Sequence, residues 1–223
     1  MSGEIVNGDL DADGRVILYI IKADATSYIN YIKPIILAEE LKTPYVLSII
    51  DTKDEWFYKI HPERYVPSLK DRDPETGQDV IVFEGTACLQ YLADRSDNNG
   101  EWAGRTAAEK GAVLSWTAYQ TAGLGVPEQT GASPASKDNR ENTTKQWDIL
   151  NKRLTEPGQK YIALKDRPTL ADLSYLPFAM PWMFNLFGVD IKDWPAVDEW
   201  AQRMLDRPAV KDVLERAPRF GHD

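Results

Sequence analysis

Apolar residues in the first fifty positions form two short runs with a helical pattern between them. Residues 15–21 are a β-branched run without polar alternation, which is typical of a strand buried on both faces, and residues 45–50 predict a second strand. Residues 33–41 between them carry an apolar and a charged stripe and predict a helix, with Pro34 in its first turn. A strand, a helix and a strand of these lengths predict a right-handed βαβ unit.

Two polar segments flank the first strand. Residues 1–13 are acidic and polar, which predicts a loose N-terminal lead. Residues 22–31 hold Thr26, Ser27 and Asn30 and predict a polar turn before the helix.

The stretch from residue 65 to residue 92 predicts a strand, a turn, a second strand and a helix. The ring of Pro67 holds Val66 extended, and the bond between them is a candidate for the cis form. Residues 71–79 place proline and glycine among charges and predict a hairpin turn before a short β-branched strand. A helix then begins at Glu84. The order of these elements is typical of a thioredoxin-like sheet, with parallel strands first and an antiparallel hairpin last.

The second half of the chain predicts helices alone. A polar linker occupies residues 97–105, and capping signals or apolar spacing then predict helices that begin near residues 106, 138, 169, 195 and 208. The chain is therefore predicted to have an α/β domain at residues 1–97 and an all-α domain at residues 105–223.

Composition removes several functional classes. The formal net charge of -9 argues against nucleic acid as a partner. A single cysteine, Cys88, allows no disulfide framework, and two distant histidines make a metal site unfavourable. The early apolar runs are too short to cross a bilayer and no signal-peptide pattern precedes them, so the interpretation is a cytoplasmic protein without a membrane partner.

The residues of the 65–92 stretch predict a site for a small anionic peptide. The extended backbone at Val66 can pair with a ligand, and the helix N-terminus beside Glu84 offers N–H groups and partial positive charge to a carboxylate. Because the protein is acidic overall, any attraction of an anion has to be local. The alternatives are that Glu84 only complements the helix dipole, that Pro67 follows an ordinary trans bond, and that Cys88 is a small buried hydrophobe.

Three separated motifs resemble the cytosolic glutathione transferases. Residues 66–69 (Val-Pro-Ser-Leu) match that family's cis-proline segment, residues 83–92 match its Glu-Ser signature helix, and residues 169–172 match its N-capping box. Residues 60–67 and 116–125 are similar to segments of the fungal class related to the yeast nitrogen-regulation prion protein. The resemblance spans residues 14–216 and implies a thioredoxin-like glutathione-binding domain followed by an all-helical domain for a second substrate.

The resemblance also implies roles for individual residues. Asn30 matches the residue that this class places near the sulfur of glutathione, where it would donate a hydrogen bond to the thiolate; Thr26, Ser27 and Tyr28 compete with it as thiol activators, and Ser27 is kept as a second catalytic candidate. The implied glutathione-binding residues are Lys53, Val66, Pro67, Glu84, Gly85 and Thr86. The implied second-substrate pocket is formed by Trp116, Tyr119, Gln120 and Leu124.

Two positions depart from the family pattern. Gly85 stands where the family has its signature serine, so the hydroxyl contact to the γ-glutamyl carboxylate is lost, and Thr86 is the candidate replacement. His61 stands where the family has asparagine before the proline. The binding half of the resemblance therefore depends on Glu84 and on backbone N–H groups.

The resemblance implies a glutathione S-transferase that adds the glutathione thiolate to a small, apolar, conjugated electrophile. A first alternative is a glutathione-dependent cis/trans isomerase of fungal secondary metabolism, which would add the thiolate reversibly. A second alternative, from another class, is a glutathione-binding regulatory protein without turnover. A homodimer is expected from the family.

Overall fold

A computed structural model describes residues 3–24, 28–123 and 137–222, with the side chains of residues 137–139 excepted. The chain forms two compact units, of which the first contains residues 1–98 and 208–223 and the second contains residues 99–207. The described part of the first unit contains five strands and three α-helices. Along the chain these are β1 Glu4–Asn7, β2 Val16–Ile20, α1 Tyr28–Leu41, β3 Tyr45–Ile49, β4 Ser68–Arg72, β5 Asp79–Phe83 and α2 Gly85–Ser96. The third helix, Pro208–Arg216, is numbered α8 because five helices of the second unit precede it in the chain.

The sheet of the first unit has the strand order β1-β3-β2-β4-β5. Strands β2 and β3 are parallel and joined through α1, while β4 runs antiparallel to both β2 and β5. Leu69 pairs with Leu18 on one side and with Val82 on the other. This is the predicted thioredoxin-like arrangement, and the βαβ unit and the terminal hairpin are both confirmed.

Two local predictions in the first unit are wrong. The N-terminal lead contains strand β1, which pairs in parallel with β3; four residues with mostly exposed side chains are too few for a periodic signal, but they complete the hydrogen bonds of an otherwise open sheet edge. Helix α1 already includes Tyr28, so part of the predicted turn is helical and Pro34 lies inside the helix rather than in its first turn. The packing of α1 within the unit outweighs the local cost of the proline.

The core of the first unit lies on both sides of β2. All five residues of β2 are buried, which agrees with its continuous apolar run. In α1, eight consecutive residues from Tyr31 to Ala38 are buried, because neighbouring elements cover the helix on every face. Asp71 of β4 is buried as well and accepts hydrogen bonds from Tyr91 and Arg95 of α2, which fixes α2 against the sheet.

The C-terminal segment packs with the first unit, which differs from the predicted boundary of 105–223. The guanidinium of Arg216 in α8 contacts Glu39 of α1 at 2.7 Å. Beyond α8, the backbone N–H of Ala23 donates to the carbonyl of Phe220, whose ring is buried. The sequence pattern identified α8 as a helix but contained no information on which unit covers its apolar face.

The second unit is helical in all its described parts, as predicted. Its α-helices are α3 Ala107–Gly123, α4 Lys137–Leu154, α5 Leu170–Tyr175, α6 Pro181–Phe187 and α7 Pro195–Leu205. A 3₁₀ helix at Leu176–Ala179 follows α5, where Pro177 removes a backbone donor and ends the α-helical pattern. The apolar spacing of these helices also produces an aromatic cluster, in which Trp147 of α4 stacks on Phe184 of α6 with the ring centroids 4.1 Å apart.

The capping box of α5 is the polar centre of the second unit. Asp172 is fully buried and accepts hydrogen bonds from four donors: the backbone N–H and the hydroxyl of Thr169 at 2.8 and 3.0 Å, the backbone N–H of Ile162 at 2.9 Å and the indole of Trp200 at 2.8 Å. One carboxylate therefore joins α5, α7 and the loop before α5.

No helix in the described segments combines the length and the apolar character that a membrane crossing requires. Among residues 3–24, 28–123 and 137–222, no three His, Cys, Asp or Glu side chains are grouped so that they could hold a metal ion.

Candidate functional site

The N-terminus of α2 is presented at the end of β5 by a residue in an unusual backbone conformation. Glu84 is the N-cap residue and has φ 73° and ψ 132°, in the left-handed half of the map that residues other than glycine seldom adopt. Its side chain is 60% exposed. Since the first N–H groups of a helix have no partner within the helix, Glu84 places an exposed carboxylate next to a row of backbone donors.

His61 lies next to Glu84. The imidazole is almost fully buried, its Nδ1 accepts the backbone N–H of Glu63 at 3.0 Å, and its Nε2 lies 3.8 Å from the Glu84 carboxylate. With Nδ1 used as an acceptor, the neutral ring carries its proton on Nε2, which faces the carboxylate. Burial lowers the pKa of His61, so the neutral form is favoured. The histidine that departs from the family pattern thus directs a neutral Nε2–H toward the Glu84 carboxylate from 3.8 Å.

The predicted peptide-binding backbone lies beside this helix terminus. The Val66-Pro67 bond is cis, as the sequence suggested. Strand β4 begins two residues later, and within the described part of the chain neither the N–H nor the C=O of Val66 has a partner. Pro67 is buried, and its Cγ lies 3.6 Å from the point where a Cβ on Gly85 would stand. Val66, Glu84 and Gly85 therefore lie along one surface, with the buried Pro67 as its support under Gly85.

A buried lysine that the sequence analysis did not single out completes this surface. Lys33 of α1 is 7% exposed, and its Nζ lies 3.5 Å from the position of a Cβ on Gly85. Burial lowers the pKa of Lys33 to about 8, while the negative charges of Cys88, when ionised, and Glu84 oppose that shift. Its sequence signals were a lysine inside the apolar run of α1 and, far away in the chain, a glycine in place of the signature serine.

The two catalytic candidates have different outcomes. Asn30 lies in the first turn of α1 and is partly buried. Pro34, four residues later, has no N–H to give to the carbonyl of Asn30, so this turn lacks one helical hydrogen bond. Ser27 lies outside the described residues, as does Thr26. Burial raises the pKa of Tyr28, which remains a protonated hydroxyl at neutral pH.

Lys53 and Thr86 lie on different elements of the first unit. Lys53 is exposed in the turn after β3, and its backbone carbonyl accepts a hydrogen bond from Arg64 at 3.1 Å, which brings a second cation to this turn. Thr86 is partly buried in the first turn of α2. Cys88, in the same helix, is fully buried, and burial raises its pKa to about 12. The interpretation of Cys88 as a small buried residue agrees with this position.

The predicted second-substrate residues of the helical unit lie on α3. Trp116 and Tyr119 form an edge-on ring pair with centroids 6.2 Å apart, and Tyr119 is 40% exposed. Gln120 is buried, and Leu124 lies outside the described residues. A cavity of about 220 Å³ in this unit is lined by Glu101, Trp102, Arg167, Pro168 and Arg207 and contains none of the three described residues Trp116, Tyr119 and Gln120.

Comparison with known proteins defines the class. The family model for the glutathione S-transferase C-terminal domain matches residues 117–208. Glutathione S-transferase aclG of Aspergillus oryzae is 68% identical, over 96% of this chain and all of that protein. The trimodular acetylaranotin synthesis protein ataIMG of Aspergillus terreus is 67% identical over 90% of this chain, which matches only 21% of that longer protein.

Solved structures agree with these relatives. A glutathione transferase homologue from Lodderomyces elongisporus, solved with two glutathione molecules per subunit, has a TM-score of 0.76 and 26% identity, covering 92% of this chain and 99% of that chain. The glutathione transferase URE2P5 from Phanerochaete chrysosporium shares the fold with a TM-score of 0.76 at 21% identity, covering 93% and 96%.

The protein is a member of the glutathione S-transferase family. It is a glutathione-dependent transferase, and glutathione is its cosubstrate. The family prediction and the glutathione prediction are thereby confirmed.

Proposed function

We propose that the first unit binds glutathione along the surface formed by Val66, Glu84 and Gly85, which Pro67 supports, and delivers its sulfur to the first turn of α1. The Glu84 carboxylate suits the ammonium of the γ-glutamyl group, and the free backbone of Val66 suits the cysteinyl peptide as an added strand does. Lys53 receives the glycine carboxylate. The observation that carries this proposal is the exposed Glu84 carboxylate, fixed at a positive φ beside the unpaired backbone of Val66.

The reaction begins with loss of the thiol proton to solvent. The side-chain amide of Asn30 donates a hydrogen bond to the resulting thiolate and lowers the cost of its negative charge, with Ser27 as a second candidate donor. The thiolate electron pair then forms a carbon–sulfur bond with the electrophile. In an addition to a conjugated double bond, the displaced pair is protonated by solvent, whereas in a substitution it departs with the leaving group.

The second substrate is proposed to be a small, apolar, conjugated metabolite. The aromatic pair of Trp116 and Tyr119, with Gln120 and Leu124, would provide its surface in the helical unit. The name of the Aspergillus terreus relative, an acetylaranotin synthesis protein, supports a place in the synthesis of a natural product. The proposal includes a cytoplasmic homodimer.

The test of the reaction is conjugation of glutathione to 1-chloro-2,4-dinitrobenzene, in which the carbon–sulfur bond replaces the carbon–chlorine bond.

Asn30→Ala is expected to raise the pKa of the bound thiol by about one to two pH units, because a hydrogen bond to a charged group contributes about 1.5–3 kcal/mol. The readout is the thiolate absorbance of bound glutathione as a function of pH. S-methylglutathione, which has no thiol, serves as the control and should bind the variant and the unaltered protein equally. An unchanged thiol pKa would remove Asn30 from this role.

The isomerase alternative makes a different prediction about glutathione itself. An isomerase would convert a cis-configured conjugated carbonyl compound with a catalytic amount of glutathione, because the thiolate leaves again after rotation. We expect instead that one glutathione is consumed for each product formed. Quantifying free thiol at the end of the reaction separates the two outcomes.

Glu84→Gln is expected to weaken glutathione binding by about tenfold, since it removes the charge that faces the ammonium while it keeps the shape of the side chain. Isothermal titration with S-methylglutathione measures this loss. Glu63→Gln is the matched control, because Glu63 is exposed near the same histidine and contacts it through its backbone N–H. Equal losses in both variants would indicate a general charge effect and contradict the assignment of Glu84.

A further inference from the structure

A largely buried lysine places its ammonium group beside the first residue of α2, where the Nζ is not fully enclosed. Lys33 projects from α1, is 7% exposed, and places its Nζ and Cε 3.5 and 3.6 Å from the position of a Cβ on Gly85. These are ordinary van der Waals distances, so a side chain at position 85 would lie against the lysine head. Because Gly85 has no side chain, no side-chain atom at position 85 covers the Lys33 ammonium on the side that faces α2.

This ammonium has no structural function that the rest of the first unit explains. Among the residues that the structure describes, no hydrogen bond or ion pair involves the Nζ of Lys33. A buried charge without a partner is unfavourable, and a neutral residue of similar length would fill the same space at lower cost. The nearest charged neighbours that act on it are Glu84 and, when ionised, Cys88. Glu84 is exposed and, in the proposed glutathione site, pairs with the ammonium of the ligand. The ammonium of Lys33 is therefore able to bind an anion.

We propose that Lys33 binds the α-carboxylate of the γ-glutamyl group of glutathione, in the space that Gly85 leaves open. The inference rests on the proposed glutathione site, since it concerns one end of the same ligand. In this proposal the α-carboxylate is bound by the ammonium of Lys33 in α1, assisted by the N–H groups at the start of α2. Thr86 was the candidate for this contact in the sequence. The helix terminus and the buried cation then act on the same anion.

The pair of opposite charges gives this end of the site a defined specificity. Lys33 takes the carboxylate and Glu84 takes the ammonium, so the site recognises the free amino-acid head of the ligand rather than its charge as a whole. A peptide that lacks the α-carboxylate would leave the buried ammonium unpaired and would bind weakly. Gly85 and Lys33 then act together: the missing side chain of Gly85 makes room for the carboxylate oxygens of the ligand, and Lys33 binds them.

The first experiment leaves Lys33 in place and occupies its free face. Gly85→Asp introduces a carboxylate that can reach the ammonium, whereas the matched control Gly85→Asn introduces the same bulk without a charge. We expect the Asp variant to bind S-methylglutathione at least tenfold more weakly than the Asn variant in isothermal titration. Equal affinities of the two variants would overturn the proposal, because bulk alone would then explain the loss.

The second experiment compares two ligands on two proteins. The ligands are S-methylglutathione and the analogue in which γ-aminobutyrate replaces the γ-glutamyl group, so that only the α-carboxylate is missing. The unaltered protein should prefer S-methylglutathione by at least tenfold, and Lys33→Met should reduce this preference to less than threefold. A full preference retained in Lys33→Met would overturn the assignment of Lys33. Binding of neither ligand to the unaltered protein would instead overturn the proposed glutathione site itself.

A rescue variant distinguishes a binding role from a structural one. Gly85→Ser in the Lys33→Met background restores a hydroxyl at the start of α2, and the space around position 85 accommodates its Cβ at ordinary contact distances. We expect the double variant to bind S-methylglutathione at least threefold more tightly than Lys33→Met alone. No recovery, together with an unfolded circular dichroism spectrum of both variants, would assign Lys33 to the fold and contradict the proposal.

Discussion

Replacing Asp172 by alanine is expected to lower the free energy of unfolding by about 3–5 kcal/mol, the largest single effect that we predict. The carboxylate is fully buried and accepts hydrogen bonds from Thr169, Ile162 and Trp200. Its removal leaves four donors without partners, two of them on the backbone, and each unsatisfied buried group costs about 1–3 kcal/mol before relaxation. Urea denaturation followed by tryptophan fluorescence measures the loss, because Trp200 reports on the same contact.

A surface carboxylate in the same unit provides the control for this variant. Glu199 of α7 pairs with Arg203 one helical turn later and is exposed, so Glu199→Ala is expected to change the free energy of unfolding by less than about 0.5 kcal/mol. A loss of less than 1 kcal/mol for Asp172→Ala would show that water or rearranged side chains satisfy the four donors, and would contradict the central role of the capping box.

Lys33→Met is expected to stabilise the ligand-free protein by about 1–3 kcal/mol at neutral pH, while it weakens glutathione binding. The folded protein holds the pKa of Lys33 at about 8, against 10.5 for the unperturbed side chain. Between these two values the unfolded chain binds more protons than the folded chain, so the free energy of unfolding rises with pH in this window. Below pH 8 the full penalty of the buried charge is present, and above about pH 10.5 it is gone.

The stabilisation by methionine therefore has a predicted pH profile. It should be largest at pH 7, smaller at pH 9.5, and should disappear near the upper end of the window, as measured by urea denaturation at each pH. Lys59→Met, at an exposed position of the same unit, should show no such dependence. A destabilised Lys33→Met at pH 7 would mean that the lysine is a structural residue with a partner in the fold.

Sequence patterns predicted the elements of the first unit where the local signal and the burial agree. The continuous run of β2 is buried on both faces, and the hairpin of β4 and β5 has its turn where proline and glycine stand among charges. Strand β1 was missed because its four mostly exposed residues show no periodic pattern, and the beginning of α1 was missed because Pro34 suggested a first turn. In both cases contacts distant in sequence overrode the local preference.

The candidate site divides in the same way. Val66 and Glu84 were predicted because each motif carries its own backbone geometry, an X-Pro bond or a strand-to-helix junction. Lys33 was missed because a lysine in a helix ordinarily extends its charge to solvent, and only the packing of α1 within its unit makes this one buried. In the sequence, His61 was only a departure from the family pattern. Its position, with Nε2 3.8 Å from the Glu84 carboxylate, is visible only in the structure. The roles of Asn30, Ser27 and the residues of α3 stay predictions.

The discontinuous composition of the first unit has a consequence for how the protein is synthesised. The first unit includes residues 208–223, which leave the ribosome more than one hundred residues after α2. Until those residues are made, the nascent α/β segment keeps exposed the apolar surface that Phe220 and α8 later cover, and chaperones can bind it. The helical unit, contiguous from residue 99 to residue 207, can fold during that interval, so the first unit is begun first on the ribosome and completed last.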